Sequence, residues 1–252
     1  MSGLALAALG LGLFPSSGHG QSPGDGPRAV VELFTSQGCS SCPPADRLMG
    51  ELARDPKLVV LTWPVDYWDY LGWKDTLARP DFTARQKAYA EARGDRAVYT
   101  PQVVVGGLDH VVGSDHGKIS AAMTSQQAKL GAMPIVPDIA VAGDVVAVKV
   151  PGRSEVADLG GSKATVWMVS IKRQMTVSIG RGENSGATVT YTNVVRGVQS
   201  LGMWKGTALN IEFPRSELDR VAADGCVVLV QMHMAGKPAR IIGAASLPMA
   251  GL

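Results

Sequence analysis

The fold of this chain is decided by one short stretch, which reads Gly38-Cys39-Ser40-Ser41-Cys42-Pro43-Pro44-Ala45-Asp46. An apolar run (29–34) precedes it, and a segment with helical spacing of apolar residues (47–53) follows it. The two cysteines are therefore expected where a buried strand leads into a helix, with Cys39 at the helix entrance and Cys42 one turn in. The positive end of a helix favours a thiolate, and cysteines in this setting have a pKa lowered from about 8.5 to roughly 3.5–7.5. We predict thiol–disulfide exchange. Cys39 either attacks a disulfide of the partner or is itself reduced, and Cys42 resolves the mixed disulfide.

Length and composition limit the classes of function that this chain can have. A chain of 252 residues is long enough for two domains. A hydrophobic content of 46% and a charged content of 18% are typical of a globular protein. The formal net charge is only +2, with no run of like charges and no interleaving of basic and aromatic residues, which argues against nucleic acid or an anionic membrane as the partner.

The first 28 residues are predicted to be a signal peptide and a tether. Residues 4–14 form an apolar run that is too short for a bilayer, which takes about 20 apolar residues. Cleavage is expected near Gly20, so the mature chain would be periplasmic or secreted and not inserted in a membrane. A Gly-rich tail is the alternative. Disulfides persist outside the cytoplasm, so the two cysteines would rest oxidised there.

The region 29–133 is predicted to be an α/β domain. A strand at 29–34, a helix at about 44–54 and a strand at 58–62 make a βαβ unit. A Thr100-Pro101 step then leads into a Val-rich strand, where a cis proline is expected because proline cannot donate within a sheet. A turn at 106–109 and a helix at about 115–130, capped by Ser114, complete the domain.

An aromatic segment (63–73) holds three of the five tryptophans and two of the five tyrosines. In one interpretation, its own aromatic side chains pack it as an insertion. In the other, Trp63 and Trp68 form a rim beside the cysteines that grips an extended partner, because Trp and Tyr dominate binding hot spots.

The region 134–252 is predicted to be an all-β domain, an antiparallel sandwich or barrel. Apolar or alternating runs separated by turns predict its strands at 145–150, 165–179, 188–195, 207–213, 227–234 and 239–245. Cys226 lies in one of these runs, where a buried, inert thiol is expected.

The order of these elements resembles the thioredoxin fold over residues 29–130. More narrowly, the chain resembles a family of secreted bacterial proteins catalogued only as domain of unknown function 1223, whose core is thioredoxin-like. The stretches that carry this resemblance are 32–46, 63–69, 181–184 and 191–196.

The thioredoxin resemblance implies roles for matching residues. Cys39 would be the attacking thiolate and Cys42 the resolving thiol, while the Thr100-Pro101 loop would face them and offer backbone hydrogen bonds to a substrate strand. This chain departs from thioredoxin in having Gly38 before the first cysteine instead of an aromatic residue, and Ser-Ser instead of Gly-Pro between the cysteines. Glu32 lies one residue further from the first cysteine than the buried acid of thioredoxin, and a shift of one residue reverses the face of a strand. A proton-relay role is therefore not carried over to Glu32.

Three functions are compatible with these features of the sequence. The first is a redox enzyme that acts on an unknown protein partner without a cofactor. The second is Cu(I) or other metal handling by the two thiolates, with His110 and His116 following the Thr-Pro strand, although a closed zinc site would need four ligands and no metal site is predicted. The third is an envelope binding protein with a static disulfide. The chain has no Gly-x-Ser-x-Gly elbow, P-loop lysine or dinucleotide fingerprint, which sets aside hydrolase and nucleotide-dependent functions.

Overall fold

The computed structural model describes residues 26–153 and 163–248, so residues 1–25 of the predicted signal peptide and tether lie outside the described part. The elements of the described ranges are, in chain order, β1 (Ala29–Thr35), α1 (Pro43–Leu52), β2 (Leu58–Pro64), a 3-10 turn (Asp69–Leu71), α2 (Pro80–Arg93), β3 (Gln102–Val105), β4 (Asp109–Val112), α3 (His116–Leu130), β5 (Asp138–Ala142), β6 (Val145–Val150), β7 (Ala164–Ser178), β8 (Thr188–Trp204), β9 (Leu209–Pro214), α4 (Ser216–Asp219), β10 (Gly225–Met234) and β11 (Lys237–Pro248).

The predicted βαβ unit is present. Strand β1 pairs with β2 in parallel over its whole length, and every residue of both strands is buried. Strand β3 runs antiparallel to β1, and β4 runs antiparallel to β3. Helices α1 and α3 pack on one face of these strands, while Phe82 and Tyr89 of α2 pack on the other face. Helices on both faces explain the continuous apolar runs that the sequence shows.

Helix α1 begins directly after the second cysteine. Pro43 and Pro44 occupy its first two positions, where the missing N–H groups have no partner inside a helix anyway. Its apolar residues recur at helical spacing and pack against β1 and β3; they are Ala45, Leu48, Met49 and Leu52. This packing fixes the helix N-terminus, and with it Cys42, at the end of β1.

The second half of the chain extends the same sheet. The strand order of the large sheet is β11-β10-β7-β8-β2-β1-β3-β4, and the two halves meet at the parallel pair Thr62 and Val194. The sheet therefore runs across residue 133, and the division of the chain into domains there stays a prediction.

The remaining strands form a small antiparallel sheet in the order β5-β6-β9. It packs on β7, β10 and β11 through a shared apolar cluster that includes Val146, Val148, Phe213, Val166 and Val228. Of the two predicted arrangements, a sandwich or a barrel, the closed barrel is not formed in the described ranges, which contain one mixed sheet and this small antiparallel sheet. Alternating apolar residues predict the strands but do not say which strand pairs with which, so the sequence could not distinguish these arrangements.

Three local features confirm or correct what the sequence predicts. The Thr100-Pro101 peptide bond is cis, as expected. Helix α3 is capped by Asp115, which accepts a hydrogen bond from the Lys118 backbone N–H, and not by Ser114. Within residues 26–153 and 163–248, no helix has the length and apolarity needed to cross a membrane.

Candidate functional site

Cys39 and Cys42 form a disulfide between β1 and α1, with their Cα atoms 5.4 Å apart. Cys42 is the N-cap of α1 and not a residue of its first turn, because the helix begins at Pro43. The Cys42 N–H donates to the Cys39 carbonyl, and the Cys42 carbonyl accepts from the N–H groups of Ala45 and Asp46. The sulfur of Cys39 therefore lies just before the helix N-terminus, where a thiolate is favoured.

The hydroxyl of Ser41 adds a second stabilising contact. Its oxygen lies 3.4 Å from the sulfur of Cys39. Because Pro43 and Pro44 have no N–H, the first turn of α1 has fewer donors to offer than an ordinary helix start. A hydroxyl between the cysteines supplies a donor at the position where the sulfur takes on negative charge.

The disulfide is covered by a loop from the second half of the chain. Residues 179–187 connect β7 and β8, and we call them the covering loop. The Asn184 side-chain amide donates to the carbonyls of Gln37 and Cys39, at 2.9 Å each, and the Glu183 carboxylate accepts from the Ser40 N–H at 3.2 Å. Cys39 is only 2% exposed. The sequence does not reveal this contact, because about 145 residues separate the partners. The family resemblance over residues 181–184 is the feature of the sequence that draws attention to this loop.

Part of the aromatic segment flanks the disulfide. The Trp68 indole N–H donates to the Thr100 hydroxyl at 2.7 Å, and Trp68 lies against Gly38. A Cβ atom at residue 38 would stand 3.1 Å from the Trp68 Cβ and 3.2 Å from its carbonyl oxygen. This close approach explains why glycine, and no aromatic residue, precedes the first cysteine.

Trp63 corrects the expectation of an aromatic rim. It is completely buried and lies under the Arg85 guanidinium. Its ring stacks on Phe34 with centroids 6.3 Å apart and meets Phe82 edge to face at 5.2 Å. A side chain in this position cannot contact a partner. Trp63 follows the apolar residues of β2, and its burial continues their pattern.

The Thr100-Pro101 loop lies against the first turn of α1. A Cβ built at Gly113 would stand 3.1 Å from the Pro101 Cβ and 3.3 Å from the Ala45 Cβ, so these two residues meet around it. Thr100 is partly exposed and Pro101 is buried. The fold thus brings Cys39, Cys42, Thr100, Pro101 and Trp68 to one end of the sheet.

Two carboxyl groups are buried next to the disulfide. Asp46 is 2% exposed, accepts a hydrogen bond of 2.8 Å from the Thr35 hydroxyl, and has a pKa raised to about 8 because burial disfavours its charged form. Burial also raises the pKa of Asp75, although its carboxylate accepts from the N–H groups of Gln37, Leu77 and Ala78. The stretch 38–46 ends on Asp46, to which the sequence alone assigns no role.

Glu32 lies on the opposite face of β1. Its carboxylate accepts from Arg85 Nε at 2.8 Å and from the Tyr89 hydroxyl at 2.6 Å, both on α2. Gln231 donates to the same Tyr89 hydroxyl at 2.7 Å. Glu32 is therefore part of a polar network that joins β1, α2 and β10, and α1 with the cysteines packs on the other side of the strand.

The histidines considered for metal binding lie on β4 and α3. His110 Nδ1 pairs with the Tyr99 hydroxyl at 3.0 Å, and His116 is the first residue of α3. Cys226 is buried, and burial raises the pKa of its thiol to about 11. In the described part of the chain, no group of three or more His, Cys, Asp or Glu side chains could hold a metal ion.

Comparison with known proteins places the chain in a family. Residues 30–231 match DUF1223, described as a protein of unknown function. The crystal structure of protein AGR_C_4864 from Agrobacterium tumefaciens is 36% identical and has a TM-score of 0.80, with 90% of this chain and 96% of that one covered. HBP35 of Porphyromonas gingivalis has a TM-score of 0.57 at 12% identity, with 88% of this chain and 74% of that one covered, so this likeness concerns the fold alone. No curated protein matches the chain. On the family match and the 36% identity over nearly the whole chain, the protein belongs to the DUF1223 family.

Proposed function

We propose that this protein carries out thiol–disulfide exchange through Cys39 and Cys42. The observation that carries the proposal is the position of the disulfide, with Cys42 at the N-cap of α1 and the Ser41 hydroxyl 3.4 Å from the Cys39 sulfur. A helix N-terminus and a hydroxyl donor both stabilise the thiolate that attacks or leaves during exchange. Such stabilisation serves a reacting sulfur and adds nothing to a permanent crosslink.

The proposal includes a thioredoxin-like core. Strands in the order β2-β1-β3-β4, with α1 and α3 on one face and α2 on the other, support this assignment. The same core supports a substrate role for the loop at Thr100, which is a partly exposed residue. Trp68 contacts both Thr100 and Gly38 and so places this loop beside the disulfide loop. An extended segment of a partner protein would bind there by backbone hydrogen bonds.

In the proposed reaction, a partner thiolate attacks the Cys39 sulfur and forms a mixed disulfide. The bond between the two cysteines breaks, and Cys42 leaves with the electron pair and takes up a proton. The second thiolate of the partner then attacks the partner sulfur of the mixed disulfide and releases Cys39 as a thiolate, so two electrons pass from the partner dithiol to Cys39 and Cys42. In the opposite direction, the Cys39 thiolate attacks a partner disulfide, and the Cys42 thiolate then attacks the Cys39 sulfur and releases the partner as a dithiol. The partner is a protein in the periplasm or outside the cell, and we propose neither nucleic acid nor membrane insertion for the mature chain.

One observation favours a second candidate, a binding protein with a static disulfide. Cys39 is 2% exposed beneath the covering loop, so a partner reaches its sulfur only when that loop moves. Against this candidate, a disulfide across two intervening residues closes a very short loop and contributes little to stability through loop entropy.

Trapping separates the two candidates. In a Cys42→Ser variant, exchange through Cys39 stops at the mixed disulfide, which accumulates with glutathione in an oxidising glutathione buffer and is counted by mass spectrometry. A Cys39→Ser variant is the matched control and is expected to be modified less, because Cys42 is completely buried and the Ser41 hydroxyl contacts the sulfur of Cys39. Equal modification of both variants, or of neither, contradicts exchange through Cys39.

A further inference from the structure

The reaction proposed above leaves a proton to be placed on a buried sulfur. Cys42 is 0% exposed, so its sulfur has no direct access to water. A thiolate without solvent is disfavoured, as the buried thiol of Cys226 illustrates, whose pKa burial raises to about 11. Opening the disulfide therefore requires a proton donor near Cys42, and closing it requires an acceptor.

Asp46 is placed to be that group. It follows Cys42 by four residues, and the Cys42 backbone is already helical, with φ −78° and ψ −36°. The Asp46 N–H donates to the Cys42 carbonyl at 3.1 Å, which is the helical i to i+4 bond. Side chains at this spacing are neighbours, with Cβ atoms about 5–6 Å apart.

One oxygen of Asp46 is free to carry the proton. Oδ1 accepts from the Thr35 hydroxyl at 2.8 Å, whereas Oδ2 is buried without a hydrogen-bond partner. A buried polar atom without a partner is unusual in proteins and calls for an explanation. A proton on Oδ2, available to the sulfur one turn away, provides one.

The surroundings of Asp46 keep its carboxyl protonated near neutral pH. Burial is the largest influence, and the charge of Asp75 acts in the same direction, while the Thr35 hydroxyl and the charge of Arg47 oppose it. On β8, the hydroxyl of Tyr191 faces both carboxyls and has a pKa raised mainly by burial. The acid of β1, Glu32, is held by Arg85 and Tyr89 on the far face of that strand.

A polar cleft connects Asp46 with solvent. It has a volume of about 800 Å³ between α1 and β8, and Asp46, Arg47, Gly50, Thr192 and Asn193 are among the residues that line it. After Asp46 has given up its proton, water in this cleft can return one without the covering loop moving.

We propose that Asp46 donates the proton to Cys42 when the disulfide opens and accepts it when the disulfide closes; this inference rests on the proposed function. As the bond between the two sulfurs breaks, the Cys42 sulfur takes the proton from Asp46 Oδ2, which leaves a carboxylate. In the reverse direction, the carboxylate takes the proton of the Cys42 thiol, and the thiolate attacks the Cys39 sulfur.

The test follows the opening of the disulfide of the whole protein by dithiothreitol across pH, with acid quenching and alkylation. Each rate is divided by the concentration of dithiothreitol thiolate at that pH, so the pH dependence that remains belongs to the protein. For the wild type, we expect a rate that falls as pH rises through about 8, where the donor is lost. For Asp46→Asn, we expect a rate about 10²-fold lower at neutral pH and no fall near pH 8.

Two further variants keep the result interpretable. Thr35→Val removes the hydrogen bond that lowers the pKa of Asp46, so its inflection is expected at higher pH, and it carries the test if Asp46→Asn does not fold. Lys129→Gln changes an exposed charge on α3, which does not line the cleft, and should leave the profile unchanged. An opening reaction without an inflection, or one that Asp46→Asn preserves, overturns the role of Asp46 and leaves exchange intact. A wild-type disulfide that dithiothreitol does not open overturns the proposed function, and the role of Asp46 with it.

Discussion

Replacing Asp46 by Asn is expected to change how the stability of the oxidised protein depends on pH. Asp46 has a pKa of about 8 in the folded protein and about 3.8 in an unfolded chain. Between these values the folded state holds a proton that the unfolded state releases. The free energy of unfolding therefore decreases as pH rises through this window, by about 1.4 kcal/mol per pH unit.

The magnitude follows from the width of the window. From about pH 4.5 to about pH 7.5, the wild type should lose about 4 kcal/mol relative to Asp46→Asn, whose amide does not titrate. No discount for solvent applies, because the side chain is 2% exposed. The amide keeps an oxygen for the Thr35 hydroxyl, so the two proteins should differ little at about pH 4.5 and the variant should be the more stable one at about pH 7.5.

The assay is urea denaturation of both oxidised proteins at several pH values. The difference between their free energies of unfolding isolates Asp46, because all other groups titrate in both. Glu51→Gln, on the exposed side of α1, should run parallel to the wild type. A difference that stays constant over the whole window would refute the reasoning, since it would mean that Asp46 is ionised in the fold.

Other predictions concern the groups around the disulfide and the core. Ser41→Ala should raise the pKa of the reduced Cys39 thiol, since it removes a hydrogen bond to a charged group; an unchanged thiolate titration would contradict the contact. Asn184→Ala should increase the alkylation rate of reduced Cys39 several-fold by releasing the covering loop, whereas Ser185→Ala, which loses only a bond within that loop, should not. Equal rates in the two variants would show that the loop does not limit access. Arg85→Met should lower the free energy of unfolding by about 3–5 kcal/mol, because it leaves the Glu32 carboxylate buried without its ion pair. A redox potential changed by more than about 30 mV in Arg85→Met would argue against the separation of this network from the disulfide.

The sequence predicts local structure well where one physical rule decides it. The paired cysteines before a run with helical periodicity correctly indicate the disulfide loop and α1, since proline and apolar spacing act within a few residues. The same holds for the Thr100-Pro101 step and for most strands of the second half. Strand β5 is not predicted because its apolar run is only four residues long and does not alternate with polar residues, and it follows a segment broken by prolines at 134 and 137.

The pairing of distant segments could not be predicted in this way. Nothing in the alternation of β8 indicates that Val194 pairs with Thr62, or that the turn beyond β7 brings Asn184 onto the carbonyl of Cys39. Trp63 shows the same limit for single side chains. Its residue type favours a binding surface, whereas its place at the end of a buried strand determines its burial. The residues that give the site its chemistry are thus close together in sequence, whereas the residues that enclose it are far from them in sequence.

The most direct test of exchange is the redox potential of the Cys39–Cys42 pair. It is measured by equilibrating the protein in glutathione buffers of graded composition and counting alkylated thiols. We expect a potential between roughly −120 and −270 mV, the range of working exchangers. A pair that is still oxidised at potentials below about −300 mV would contradict the account, because structural disulfides resist reduction in that range.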